Sequence, residues 1–291
     1  MAALNFYPEP KAVLGEAPLW EPQAGRIWWV DCDQKKLFSR DQDPSKEART
    51  YALPHYPGSY AFREGGGLVM AYRNQLALVN LETGEHQSFE ATGVDFSSER
   101  FNDGACDRAG RFWVGTMDRK RAAPVSSLFR IDPDLSVHRM VSGLTVSNGI
   151  AFSPDDRTMY HHDSRAGLIF AYDFDLDKGD IRNQRVFVDF AGRPGRPDGC
   201  TIDAEGNLWV AEIGGGRVVR FDKTGRQIGA IEMPVSRPSS VMFGGEDLSI
   251  LFITTMREGL APEELAQQPE AGCLFYVKLD VPGLPEPRFA G

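Results

Sequence analysis

Apolar residues recur along this chain in short runs, alternating or unbroken, each bounded by Gly, Asp, Asn or Pro. Sustained helical periodicity is almost absent. A period of two, or a brief apolar run between turn residues, marks strands rather than helices. One stretch, Pro262-Glu-Glu-Leu-Ala-Gln-Gln268, reads as a short helix set between strands.

The runs repeat. Asn102-Asp-Gly opens a segment reading GACDRAGRFWVGTMD, Asn148-Gly opens GIAFSPDDRTMYHHDS, and Asp198-Gly opens GCTIDAEGNLWVAEI. Each holds a strand, a polar turn and a second strand rich in aromatic or β-branched residues. A third strand follows (SSLFRID, LIFAYDF, RVVRFD), then a weaker fourth (SVHRMV, RVFVDF, QIGAIEM). The same form appears near Glu16, near Ser59 and near Ser239. Six units of about 40–50 residues, with four strands each, have the period of propeller blades. The chain is therefore expected to be all-β: one six-bladed β-propeller domain spanning residues 1–291, with four-stranded antiparallel blades. A β-sandwich of many short strands is the competing architecture, and the regular spacing argues against it. The last unit lacks a fourth strand, because PGLPEPRFAG is too proline-rich to pair centrally. The N-terminal NFYPEPKAVL can supply it, closing the ring and removing an exposed edge.

In a propeller the first strand of each blade lines a central channel. The six starts are Glu16, Ser59 or Tyr60, Asn102, Asn148, Asp198 and Ser239, all polar and mostly beside Gly or Pro. Taken singly, Asn-Gly and Asp-Gly pairs are ordinary turn formers. Recurring at one blade position, they place carboxylates and amides around a common mouth. Two carboxylates and an amide make an oxygen-rich site for a hard or borderline divalent cation. Three protein ligands leave positions open for water and substrate. His161 and His162 are adjacent on a second strand and point to opposite faces, so they do not both face one metal, and a hydrogen-bonded structural pair of His162 with Asp163 is expected. Trp28, Trp29, Trp113 and Trp209 fall in second strands, where packing between blades is their default role.

Composition narrows the function classes. A net charge of −9 without a basic stripe argues against nucleic acid. Arg119 to Arg121 is the longest basic cluster. No GxSxG elbow supports a serine nucleophile, and no glycine-rich phosphate loop is present. Cys32, Cys106, Cys200 and Cys273 are scattered, as buried thiols of a reducing compartment would be. The opening MAALNFYPEP has neither a basic nor an apolar region of a signal peptide, and no run is long enough to span a membrane. A cytoplasmic monomer with no membrane or nucleic-acid partner is expected.

Laid out by blade, the sequence resembles the gluconolactonase, regucalcin (SMP-30) and luciferin-regenerating enzyme family over nearly its whole length. The motifs are LGEAPLW at Glu16, RFNDGACDRAGRFWVGTM from Arg100, SNGIAFSPD at Asn148, RPDGCTIDAEGNLWVA at Asp198, and QQPEAG at Gln267 to Gly272. The resemblance implies one divalent ion (Ca²⁺, Zn²⁺, Mg²⁺, Mn²⁺ or Fe²⁺) held by Glu16, Asn148 and Asp198, with Arg100 and Asn102 contacting substrate. It implies hydrolysis of a sugar lactone, the ion polarising the carbonyl and Asp198 acting as general base. One position departs: where regucalcin-like members carry a sugar-contacting glutamate after GTM, this chain has Lys120. That puts the substrate range in question more than the hydrolysis. Two other readings compete. One is an aryl-ester or organophosphate hydrolase on the same scaffold, which would need an apolar pocket wall. The other is a non-catalytic calcium-binding propeller, which would leave no open position on the ion.

Overall fold

The computed structural model describes residues 3–291. Six four-stranded antiparallel sheets account for its strands, and they are the blades of a six-bladed β-propeller. The first strands are Gly15–Glu21 in blade 1, Pro57–Phe62 in blade 2, Glu99–Cys106 in blade 3, Ser147–Phe152 in blade 4, Arg196–Ile202 in blade 5 and Pro238–Gly244 in blade 6. Blades 1 to 5 are simple meanders. Blade 6 takes its outer strand, Asn5–Tyr7, from the start of the chain, pairing it antiparallel with Leu274–Lys278. The strand expected from NFYPEPKAVL is thus the one that completes the last blade.

Burial falls from the second strand to the fourth, and this explains the sequence pattern. Leu68–Tyr72 and Phe112–Asp118, both second strands, are buried at every position. A strand covered on both faces gains by being apolar throughout, so it reads as a run. The fourth strands, such as Glu85–Phe89 and Gln227–Glu232, are largely exposed and polar. Polar edges resist pairing with other chains. The one helix among the described residues, Pro262–Gln267, follows the expected stretch: Pro262 begins it, and the Glu264 carboxylate accepts the Ala261 backbone N–H at 2.8 Å.

The contacts divide the chain into two compact units. One comprises the residues through Tyr56 with Phe190–Pro285, holding blades 1, 5 and 6; the other comprises Pro57–Asp189 with Glu286–Gly291, holding blades 2, 3 and 4. In the first, the leading strand of blade 6 lies beside those of blades 5 and 1. Its core gathers Trp209, Phe243 and Phe275 in one cluster and Trp20, Trp29 and Phe252 in another. In the second unit, the leading strand of blade 3 lies beside those of blades 2 and 4, around Phe101, Phe112 and Phe129 and around Trp113, Phe152 and Phe174. Phe289 is fully buried in this core, and its backbone bonds to Phe62 O and Glu64 N at 2.8 and 2.9 Å. Proline-rich sequence therefore does not leave the C-terminal segment outside the fold.

Tyr7 anchors the strand from the chain start. It stacks on Tyr276 at 4.7 Å, lies under the Arg40 guanidinium at 3.9 Å and donates its hydroxyl to Gln42 O at 3.0 Å. Burial raises its pKa to about 12, so it stays a neutral donor. Deleting the segment through Tyr7 removes a buried aromatic, worth about 3–5 kcal/mol, and uncovers the edge of Leu274–Lys278. A lower thermal midpoint with self-association is expected, read by calorimetry and light scattering against the intact chain.

Candidate functional site

All six first strands break register at the same point. The breaks lie between Glu16 and Leu19, Pro57 and Ser59, Phe101 and Gly104, Asn148 and Ile150, Pro197 and Cys200, and Pro238 and Ser240. A bulge leaves a residue outside the ladder and re-aims the side chains around it. The expected site residues Glu16, Asn102, Asn148 and Asp198 sit in or beside these breaks. In blade 2 the unpaired residue is Gly58, next to Ser59. Ala17 and Gly149, the residues after Glu16 and Asn148, adopt the left-handed conformation with φ of 49° and 42°. At Gly149 a side chain would also strike the His162 ring, so only glycine fits. Ala17 holds the same backbone at a strain on the order of 1 kcal/mol. Asn148 and Asp198 are buried, and Glu16 is partly so.

A second set of carboxylates fixes the chain just ahead of three bulges. Asp31 ends the second strand of blade 1 and accepts the Val13 N–H at 2.7 Å and the Leu14 N–H at 3.3 Å, leading into Glu16. Asp163 does the same in blade 4, accepting Thr145 at 2.9 Å and Val146 at 3.1 Å ahead of Asn148. In blade 5 Glu212 accepts the Gly195 N–H at 3.2 Å ahead of Asp198, and it pairs with Arg193 and Arg217 at 3.1 and 2.9 Å. Burial pushes the Glu212 pKa up, but hydrogen bonds and charge from Arg217 and Arg193 outweigh it and leave it below the ordinary glutamate value. Of these anchors the sequence singles out only Asp163, and as a partner of His162 rather than of backbone amides; Asp31 and Glu212 are not singled out. The available signal is an acidic residue closing each run: RIWWVD31, TMYHHD163 and LWVAE212.

Blades 3 and 4 share a polar network. Arg100 donates to Phe101 O at 2.9 Å and to Asn102 Oδ1 at 3.2 Å; Asn102 Nδ2 donates to Ser147 O at 2.9 Å. The two expected substrate residues are therefore bonded to each other and to the residue before Asn148. Asp103 accepts the Gly104 N–H at 2.8 Å and the Gly149 N–H at 2.9 Å, tying the two bulges together. Burial raises its pKa to about 6 against those two donors. The Ser147 hydroxyl is bonded to His161 Nε2 at 2.7 Å, and a side chain at Gly115 would occupy its place. His161 is fully buried; burial and the neighbouring His162 lower its pKa to about 3, so the ring is neutral. His161 thus supports the backbone of the Asn148 bulge, while Asp163 acts through backbone amides.

Among the described residues, no group of three or more His, Cys, Asp or Glu side chains is gathered as a metal centre. The expected set counts only two such residues, Glu16 and Asp198, and takes its third donor from the Asn148 amide. Carboxylates and an amide are donor types that suit a divalent ion preferring oxygen, and each of these residues lies at a bulge whose approach is pinned. Cys32, Cys106, Cys200 and Cys273 are buried; burial raises the Cys106 and Cys273 pKa values, which leaves them poor nucleophiles. No helix among the described residues is long and apolar enough to cross a membrane.

Comparison with known proteins follows the motifs. A family model described as SMP-30/gluconolactonase/LRE-like region matches residues 14–257. A 6-deoxy-6-sulfogluconolactonase of Pseudomonas putida is 38% identical over 283 residues, covering 96% of both chains. Regucalcin of Oryctolagus cuniculus is 37% identical, covering 95% of both. Among solved structures, a regucalcin from Agrobacterium tumefaciens, described as a calcium-binding protein, superimposes with a TM-score of 0.93. It is 28% identical, with 100% of this chain and 98% of that chain covered.

Two outcomes follow from the anchors. Asp163→Ala strands the Thr145 and Val146 amides and releases the turn amides of Arg165 and Ala166; a buried donor left unpaired costs about 1–3 kcal/mol, and a fall of at least that order in the unfolding free energy is expected from urea titration. Because the folded pKa of Glu212 is depressed, its stabilisation is complete above its ordinary value of 4.5 and disappears as pH falls through the lower folded value. Urea midpoints measured downward from pH 7 should drop more steeply below about pH 4.5 in the wild type than in Glu212→Gln; parallel curves would refute the assignment.

Proposed function

Because the chain belongs to the SMP-30/gluconolactonase/LRE-like family, we propose that it hydrolyses a sugar lactone to the open-chain aldonic acid. The observation that carries this reading is the match to a sugar lactonase over nearly the full length of both chains. The bulged first strands support it, since they carry the residues such a reaction needs.

In this reading Glu16, Asn148 and Asp198 hold one divalent ion. When bound, the ion supplies Lewis-acid polarisation of the ester carbonyl. The calcium-binding description of the Agrobacterium regucalcin supports a divalent ion of this kind. Asp198 takes the proton of the attacking water; engagement of both its carboxylate oxygens with the ion would suppress its basicity. Asn102 spends Oδ1 on Arg100 and one Nδ2 hydrogen on Ser147 O. A second lone pair and a second hydrogen remain, enough to receive and donate one hydrogen bond each to sugar hydroxyls. Arg100, held against Phe101 O, keeps Asn102 in that orientation. The network costs little reorganisation when substrate arrives, because its bonds are already made.

The test is acid release from a panel of aldonolactones, followed with a pH indicator on chelator-stripped protein to which single divalent ions are returned. Ion-dependent hydrolysis above the spontaneous rate is expected. Asp198→Asn should abolish turnover with the fold intact by circular dichroism, and Asn102→Ala should act mainly on KM. Full activity in a folded Asp198→Asn protein would remove the general-base assignment.

A further inference from the structure

Asparagine is a thermolabile side chain, and Asn148 is the one asparagine in this chain that is followed by glycine. Glycine has no Cβ to shield its backbone nitrogen, so that nitrogen can reach the amide carbon of the preceding side chain. The fold puts the two groups together. Asn148 pairs with His162 and Ile150 with His161, which leaves Gly149 outside the ladder. The Gly149 N–H donates at 2.9 Å to Asp103 Oδ2 and at 3.1 Å to Asn148 Oδ1. The Asn148 side chain is thus folded back over its own following peptide bond, with its amide group beside the Gly149 nitrogen.

The neighbours hold this arrangement. Asp103 is oriented by a second bond, from the Gly104 N–H at 2.8 Å. Ser147, just ahead of Asn148, is bonded to His161 at 2.7 Å. The His162 ring lies against Gly149, where a Cβ would otherwise stand. No strand ladder has to break for the Gly149 nitrogen to move toward Asn148, since its N–H serves side-chain oxygens instead of a strand. A carboxylate this close to the proton it must take is within the reach of a general base. Holding nucleophile and electrophile side by side also removes the entropy of bringing them together.

We propose that Asn148 is a site of self-modification: the Gly149 nitrogen closes on Asn148 Cγ with Asp103 as the base, and the resulting succinimide opens to aspartate or isoaspartate at residue 148. The N–Cγ bond forms as the Gly149 proton passes to Asp103. The Cγ–Nδ2 bond breaks as Asp103 returns that proton to the leaving nitrogen, which departs as ammonia. Water then opens the ring at either carbonyl. The net change is the gain of one water and the loss of one ammonia, with nothing oxidised or reduced. Opening at one carbonyl puts a carboxylate where the amide stood. Opening at the other runs the main chain through the side-chain carbon and lengthens the bulge by one methylene. The step does not depend on the lactonase reading, although in that reading it changes the donor that residue 148 offers to the ion.

The experiment follows residue 148 by peptide mapping and mass spectrometry during incubation at neutral pH, with isoaspartate scored by enzymatic methylation. It compares folded wild type, the guanidinium-unfolded chain, and Asp103→Asn whose fold is checked by circular dichroism. Folded wild type is expected to convert residue 148 roughly tenfold faster than the unfolded chain, giving both aspartate and isoaspartate. Asp103→Asn should slow the folded reaction roughly tenfold or more and leave the unfolded rate unchanged. Folded wild type that converts no faster than the unfolded chain overturns the site. Aspartate formed without isoaspartate overturns the succinimide route. An unchanged or faster rate in folded Asp103→Asn overturns the role of Asp103. If that variant does not fold, the folded and unfolded wild-type rates and the isoaspartate content still decide the assignment of the site.

Discussion

Everything at the functional end of the blades depends on buried carboxylates that accept backbone N–H groups. A strand that enters a bulge has amides without ladder partners, and burying such an amide unpaired is costly. Asp31 and Asp163 end a second strand and Glu212 lies next to the end of one; each reaches across to the chain leading into the first strand of its own blade. The bulge is then held by the ladder to that second strand and by a charged acceptor near the same strand's end. Glu16, Asn148 and Asp198 can leave the regular ladder because the two or three residues before each cannot move.

The division of labour follows from this. Side chains meant for chemistry sit in the bulge, and those that pin it sit on the next strand. His161 belongs to the second class: neutral and buried, it is bonded to Ser147, whose carbonyl in turn orients Asn102. Asp103 links two bulges through backbone amides. A polar group is affordable in such a place only when its partners are fixed, and each of these has at least one.

The repeat of strands, the number of blades and the outer strand contributed by Asn5–Tyr7 were legible in sequence, because each depends on hydrophobic period and turn residues. The positions of Glu16, Asn102, Asn148 and Asp198 were legible as the polar starts of the first strands. The anchors were not. An aspartate after an apolar run, as at Asp31, looks like a turn former, and only tertiary structure shows which amides it receives; Asp163 read as a hydrogen-bonding partner of His162 and accepts backbone amides. Phe289 was hidden for a related reason: proline around it removes strand periodicity, while its burial comes from isolated bridges to Arg63 and its neighbours rather than from a sheet. The histidine pair yielded its alternation of faces but not the serine that His161 meets.

The outer strand of blade 6 has a consequence for how the chain is made. Asn5 pairs with Tyr276 and Tyr7 with Leu274, so this segment must await a partner translated more than two hundred residues later. At ribosomal rates that interval is on the order of tens of seconds. Blades 1 to 5 contain all their strands in one contiguous stretch and can fold as they emerge, whereas blade 6 cannot close until its third strand, Leu274–Lys278, is available. Through that interval Phe6 and Tyr7 lack their aromatic partners Phe275 and Tyr276, which makes the nascent N-terminal segment the part of the chain most in need of shelter by a chaperone.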